Sequence, residues 1–130
     1  MTLEVNKERI KAIVIDDDED SSDSICQALE ISGINVIGKG FDGEQAYQLY
    51  KTLTPDIVIL DMNMPNYDGA YALEKIKRDY PDAKIVVVTG FTNYTFEKEQ
   101  ADAIFTKPYD LEPFIDTVNK IALATPTIVK

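Results

Sequence analysis

Ile57-Val58-Ile59-Leu60-Asp61 sets four aliphatic residues in a row and stops them with an acid. Such a run is continuous rather than alternating, the pattern of a strand covered on both faces. Ile85-Val86-Val87-Val88 repeats it and ends in Thr89, and Ile10 to Ile15 is a similar run that ends in Asp16 and Asp17. Ile34 to Ile37 reads as a further strand, and Ala103 to Thr106 as a weaker fifth, ending in Thr106-Lys107.

Amphipathic stretches separate these runs. Ile25, Ala28 and Leu29 form one helical stripe, which Gly33 stops. Asp42 can cap a second helix, with Gln45 three positions on and Ala46, Leu49, Tyr50 and Leu53 on its apolar side. A third carries Ala72, Leu73, Ile76 and Tyr80 and ends before Pro81. Thr92 to Gln100 has room for only a short or irregular fourth helix. The last has Leu111, Phe114, Ile115, Val118, Ile121 and Ala122 at helical spacing, with Asp110 at its cap and Pro113 in its first turn. Five β-α units in series call for an α/β fold, a parallel sheet with helices on both faces and right-handed crossovers. The residues after Ala122 read as a tail, so the expected domain is 1–123 and the tail 124–130.

Composition narrows the chemistry. The chain has 130 residues, enough for one domain, and a net charge of −10. That charge argues against direct contact with nucleic acid or anionic membrane. There is no histidine and only one cysteine, Cys26. Histidine-based catalysis, an intrachain disulfide and thiolate metal clusters are therefore excluded. No stretch resembles a signal peptide or a bilayer span, so a soluble cytoplasmic protein is expected.

In an open parallel sheet, ligands bind outside the carboxyl ends of the strands. Asp16, Asp17, Asp61, Thr89, Thr106 and Lys107 all fall there. Taken singly, each has a bland use: a solvated acidic turn feeding a helix dipole, a turn cap, a strand end, a surface lysine. Together, three carboxylates at one edge repel one another unless a cation joins them. A hard cation such as Mg2+ suits them, and a lysine and a hydroxyl beside it suit a phosphoryl group.

The stretch Asp61-Met62-Asn63-Met64-Pro65-Asn66-Tyr67-Asp68-Gly69 is more specific. Here the chain resembles the receiver domain of two-component response regulators, whose third strand ends in D-x-x-M-P-x-x-D-G. Val14-Ile15-Asp16-Asp17, Val88-Thr89-Gly90 and Thr106-Lys107-Pro108 extend the resemblance over roughly Ile10 to Ala122. It implies a flavodoxin-like (βα)5 sheet of order 2-1-3-4-5. It implies Asp61 as phosphoacceptor from a phosphohistidine of a sensor histidine kinase. Mg2+ would be held by Asp16, Asp17, Asp61 and the backbone carbonyl of Asn63. Thr89 and Lys107 would meet the phosphoryl oxygens, and the bond before Pro108 would be cis. Gly69 closes the motif. The resemblance implies a signalling protein that catalyses only its own phosphorylation and dephosphorylation; the sequence does not give its oligomeric state, a monomer being favoured. It acts on a downstream protein whose identity the sequence does not give.

Two features depart from the family. Ile104 stands where a switch tyrosine or phenylalanine is usual, and strand alternation turns neighbouring Phe105 the other way. The stretch from Thr89 to Lys107 is shorter than in receivers generally, by about one helical turn of about 3.6 residues. The readout is therefore expected to pass through Gly90 to Phe96, where Phe91, Tyr94 and Phe96 are available, rather than through an aromatic flip at strand five. The eight residues after Ala122 hold no output domain. That leaves a chemotaxis-type switch, a phosphorelay intermediate or a receiver fragment of a longer regulator. A different class is a small haloacid-dehalogenase-type Mg2+ phosphatase using Asp16 as nucleophile and Asp18 as acid/base. It would leave Asp61 to Gly69 unexplained. A flavodoxin-like fold binding a partner without phosphorylation is the third reading.

Overall fold

A computed structural model describes residues 9–62, 69–90 and 101–124. Its elements run β1 (Lys11–Ile15), α1 (Glu19–Ile31), β2 (Asn35–Gly40), α2 (Gly43–Leu53), β3 (Ile57–Asp61), α3 (Gly69–Asp79), β4 (Ile85–Thr89), β5 (Ala103–Thr106) and α4 (Leu111–Leu123). The strands form one sheet of order β2-β1-β3-β4-β5, and every adjacent pair is parallel. The doubly wound α/β architecture is as expected. The short helix expected at Thr92 to Gln100 lies outside the described residues, as do Asn63, Phe91, Tyr94 and Phe96.

Successive strand residues point to opposite faces, and the sheet therefore divides two cores. Ile13, Ile15, Val58, Leu60, Ile85 and Val87 pack with Ala46 of α2 and Ala72, Leu73 and Ile76 of α3. Ala12, Val14, Ile57, Ile59, Val86 and Val88 pack with Ile25 and Leu29 of α1 and Phe114 and Val118 of α4. That double burial is why the runs at 57–60 and 85–88 lack polar alternation.

Two expectations are corrected, the bounds of β2 and the burial of Leu111. β2 runs from Asn35 to Gly40 and not from Ile34 to Ile37. A register shift opposite Ala12/Ile13 makes room for the extra residue. Beyond it the strand is built from Gly38-Lys39-Gly40 because α2 lies close above. A Cβ on Gly38 would meet Leu53 Cδ1 of α2 at 3.0 Å, and one on Gly40 would meet Leu49 Cδ1 of α2 at 3.1 Å and Ile15 Cδ1 of β1 at 3.0 Å. Asp110 occupies the cap position of α4 as expected, though its side chain makes no capping bond. Leu111, placed in the apolar stripe of α4, is 51% exposed. Elsewhere the local chemistry acts as read. Asp42 accepts from the backbone N–H of Gln45 at 2.8 Å, and Gln45 accepts from that of Phe41 at 2.7 Å. Gly33 takes φ +89°, the left-handed conformation that ends α1. Among the described residues, no helix is long and apolar enough to cross a membrane.

Candidate acidic site at the strand ends

Parallel register delivers the polar residues to one edge. Ile15 lies opposite Leu60, so Asp16 and Asp61 are the next residues on adjacent strands. Asp61 is opposite Val88, and Thr89 is opposite Thr106. Two backbone bonds carry the ladder past the strands: Asp16 N–H to the Gly40 carbonyl at 3.1 Å, and Lys107 N–H to the Thr89 carbonyl at 2.8 Å.

Asp16, Asp61 and Thr89 are buried, with 1%, 6% and 1% exposure, whereas Asp17 faces solvent. One carboxylate oxygen from each of Asp16, Asp17 and Asp61 lies within 4.8 Å of the others. Asp18 is outside this trio. It is the N-cap residue of α1, and its backbone N–H donates to Asp16 Oδ1 at 3.0 Å. Asp16 Oδ2 is buried and accepts no hydrogen bond from the described residues. Lys107 Nζ stands 3.8 Å from it, an ion pair longer than a hydrogen bond. A buried anionic oxygen left this way is costly unless a cation supplies the missing contact. Oxygen ligands of this kind, with no histidine or cysteine among them, fit a hard divalent ion.

The remaining positions also find places. The Lys107–Pro108 bond is cis. Gly69 opens α3 directly on the backbone of Asp61. A Cβ there would lie 2.5 Å from the Asp61 carbonyl oxygen and 2.6 Å from Met62 Cα, so glycine is required for the approach. Ile104 packs toward the α2/α3 core and Phe105 toward the α1/α4 core, as alternation requires. Phe105 sits edge-on to Phe114 at 5.4 Å and near Tyr109 at 5.9 Å. Sequence reasoning missed Tyr109. Burial, and then the negative charge of Asp16, raise its phenol pKa above the ordinary value, so it lies within the electrostatic reach of the site. Its one sequence signal is its place just after Pro108.

Comparison with known proteins agrees with this arrangement. The model of the response regulator receiver domain matches residues 12–119. The response regulator GacA of Pseudomonas aeruginosa is 34% identical over 117 residues, covering 86% of this chain and 55% of that protein. The chemotaxis protein CheY of Thermotoga maritima is 27% identical over 116 residues, covering 86% of this chain and 97% of that one. A chain in the crystal structure of the CheX-CheY-BeF3-Mg+2 complex from Borrelia burgdorferi superposes with a TM-score of 0.81 at 25% identity, covering 88% of this chain and 90% of its own. The chain spans about half the length of the first curated relatives it matches, 54% of the transcriptional regulatory protein DegU of Brevibacillus brevis and 55% of GacA.

Proposed function

The chain belongs to the response regulator receiver domain family of two-component systems, and from that premise we propose that Asp61 accepts a phosphoryl group from a phosphohistidine of a sensor histidine kinase. The observation that carries this reading is the trio Asp16, Asp17 and Asp61, whose carboxylate oxygens lie within 4.8 Å at the sheet edge. Asp16, Asp17 and Asp61, with the backbone carbonyl of Asn63, would hold Mg2+, which supplies charge neutralisation to the transferring group. An Asp61 carboxylate oxygen attacks phosphorus, the P–N bond breaks with its electron pair returning to the imidazole nitrogen, and the imidazole leaves neutral, taking up a proton from solvent where its ring carries none. The product is an acyl phosphate. Thr89 donates its hydroxyl to a phosphoryl oxygen, and Lys107 shifts its charge from Asp16 to the phosphoryl group. No further covalent chemistry is required, so the chain is a switch and not an enzyme with its own substrate. It acts in the cytoplasm as a monomer, through contact with a downstream protein. The domain is residues 1–123, with 124–130 as its tail. Asp18 stands at the start of α1, outside the trio, and no observation favours the phosphatase reading.

Intact mass after incubation with a small phosphodonor and Mg2+ tests this. One phosphoryl group is expected on the unmodified chain and none on Asp61→Asn. An unchanged gain in that variant moves the acceptor elsewhere. Multiple turnover of a phosphate ester without a phosphoprotein would favour an enzyme.

A further inference from the structure

Outside the acidic site, the densest polar cluster among the described residues joins α2 to α3. Tyr71 donates its hydroxyl to Glu44 Oε1 at 2.7 Å. Lys75 Nζ donates to the Tyr71 oxygen at 3.0 Å and to Glu44 Oε1 at 3.5 Å. Gln48 holds the other carboxylate oxygen at 3.0 Å. The Lys75 ammonium also lies 4.3 Å from the centre of the Tyr47 ring and 5.2 Å from that of Tyr71. One half-buried cation, one carboxylate and two rings thus engage one another across α2 and α3. A surface with its charges already so engaged is poorly suited to capture a ligand. Its position suggests a different use.

Each end of the cluster leads to one half of the acidic trio. Glu44 is in the first turn of α2, and only Phe41 and Asp42 separate that helix from Gly40. The Phe41 N–H to Gln45 and Asp42 to Gln45 N–H bonds make that junction stiff. The Gly40 carbonyl in turn holds the backbone N–H of Asp16. On the other side, Tyr71 is two residues beyond Gly69, whose α-carbon rests on the Asp61 carbonyl and Met62. A load path therefore runs from Asp16 through Gly40 and α2 to Glu44, across to Tyr71, and back through Gly69 to Asp61.

We infer that Tyr71, bridging Glu44 and Lys75, is a positioning residue for the acidic site, fixing the spacing between the Asp16–Asp17 strand end and Asp61. This rests on the receiver reading above, because it assigns the brace to that site's metal and phosphoryl chemistry. The physical reason is that a divalent ion tolerates little variation in the distance between its ligands. Groups that orient ligands without touching the ion still change its affinity. The β1–β3 ladder holds the strands together up to Ile15 and Leu60, so the brace acts on the residues just beyond it, and loss of one of its hydrogen bonds would loosen their spacing and weaken ion binding.

Calorimetric titration with Mg2+ tests the inference on the full chain and on Tyr71→Phe, Glu44→Ala and Glu44→Gln. Tyr71→Phe keeps the ring and loses only the hydroxyl. Mg2+ affinity should fall by about three- to tenfold in Tyr71→Phe and Glu44→Ala, the size of one lost hydrogen bond. Glu44→Gln, which still accepts from Tyr71, should stay near the unmodified chain. Thermal midpoints should fall in the variants that lose the bond, so affinities are compared at a temperature where every variant is fully folded. Unchanged affinity in Tyr71→Phe, or Glu44→Gln as weak as Glu44→Ala, overturns the brace while leaving the receiver reading intact. No Mg2+ binding by the unmodified chain overturns the metal site and the brace with it.

Discussion

At the scale of single residues, the site depends on few atoms, and their tolerances differ. Asp17 is the exposed member of the carboxylate trio, so truncating it leaves no buried group unpaired. Asp17→Ala should fold normally and lose much of its Mg2+ affinity by titration. Wild-type affinity would point to Asp18 instead. Gly69 is the opposite case. An added methyl would meet the Asp61 carbonyl oxygen at 2.5 Å, and that oxygen belongs to backbone that cannot turn aside. Gly69→Ala should cost about 1–3 kcal/mol in chemical denaturation, the usual range for overpacking, and should disturb Mg2+ binding as well. Asp16, Asp61 and Lys107 were legible because each ends a run whose direction and burial the sequence already specifies. Tyr71 and Tyr109 were not legible. Their importance lies in partners distant along the chain, Glu44 for Tyr71 and Asp16 for Tyr109, and nothing in the local pattern marks either pairing.

At the scale of elements, the strands and helices follow from periodicity, and the boundaries that failed have one cause. The second strand, as read from the sequence, ends at Ile37, before Gly38 and Gly40, and glycine weakens strands in isolation. Here the approach of α2 over β2 selects them, a tertiary demand that no local rule contains. The helices depend on a few large anchors. Phe114 is fully buried and packs on both Phe105 and Tyr109. Phe114→Ala should cost about 3–5 kcal/mol, the range for an emptied aromatic site, measurable as a lower urea midpoint. The α2/α3 contact carries a pH signature. The Tyr71 hydroxyl, followed by Gln48 and Lys75, holds the Glu44 carboxyl below its ordinary pKa. The Tyr47 hydroxyl at 2.5 Å, then Arg78 and Lys75, does the same for Asp79. Both folded values are depressed, so both contributions are complete above the ordinary carboxylate range and are lost as pH falls through the folded values. The stability gap between the chain and a Tyr47→Phe/Tyr71→Phe variant should therefore be widest near neutrality. It should narrow below about pH 4. A gap that stays constant on acidification would show that the hydroxyls do not act through these carboxylates.

At the scale of the whole molecule, the sheet separates two cores, and the strand carrying Ile104 and Phe105 contributes to each. A displacement at Thr89 reaches β5 through the Lys107 N–H to Thr89 carbonyl bond and the Thr89–Thr106 register. On one side it meets Ile104, half-buried against the α2/α3 core. A β-branched side chain there has a stiff χ1 and no ring to present. On the other side it meets Phe105, already held between Tyr109 and Phe114. Neither residue is free to act as a large aromatic rotor, and turning Phe105 would open the α1/α4 core. The signal should then leave through the segment that follows Thr89, beginning at Gly90, rather than through β5 itself. Amide hydrogen exchange with and without a beryllofluoride adduct of Asp61 distinguishes the routes. Altered protection is expected at Thr89 and across residues 90–96, with residues 103–106 little changed. Change confined to residues 103–110, with 90–96 silent, would place the readout on β5 and in the Tyr109 cluster.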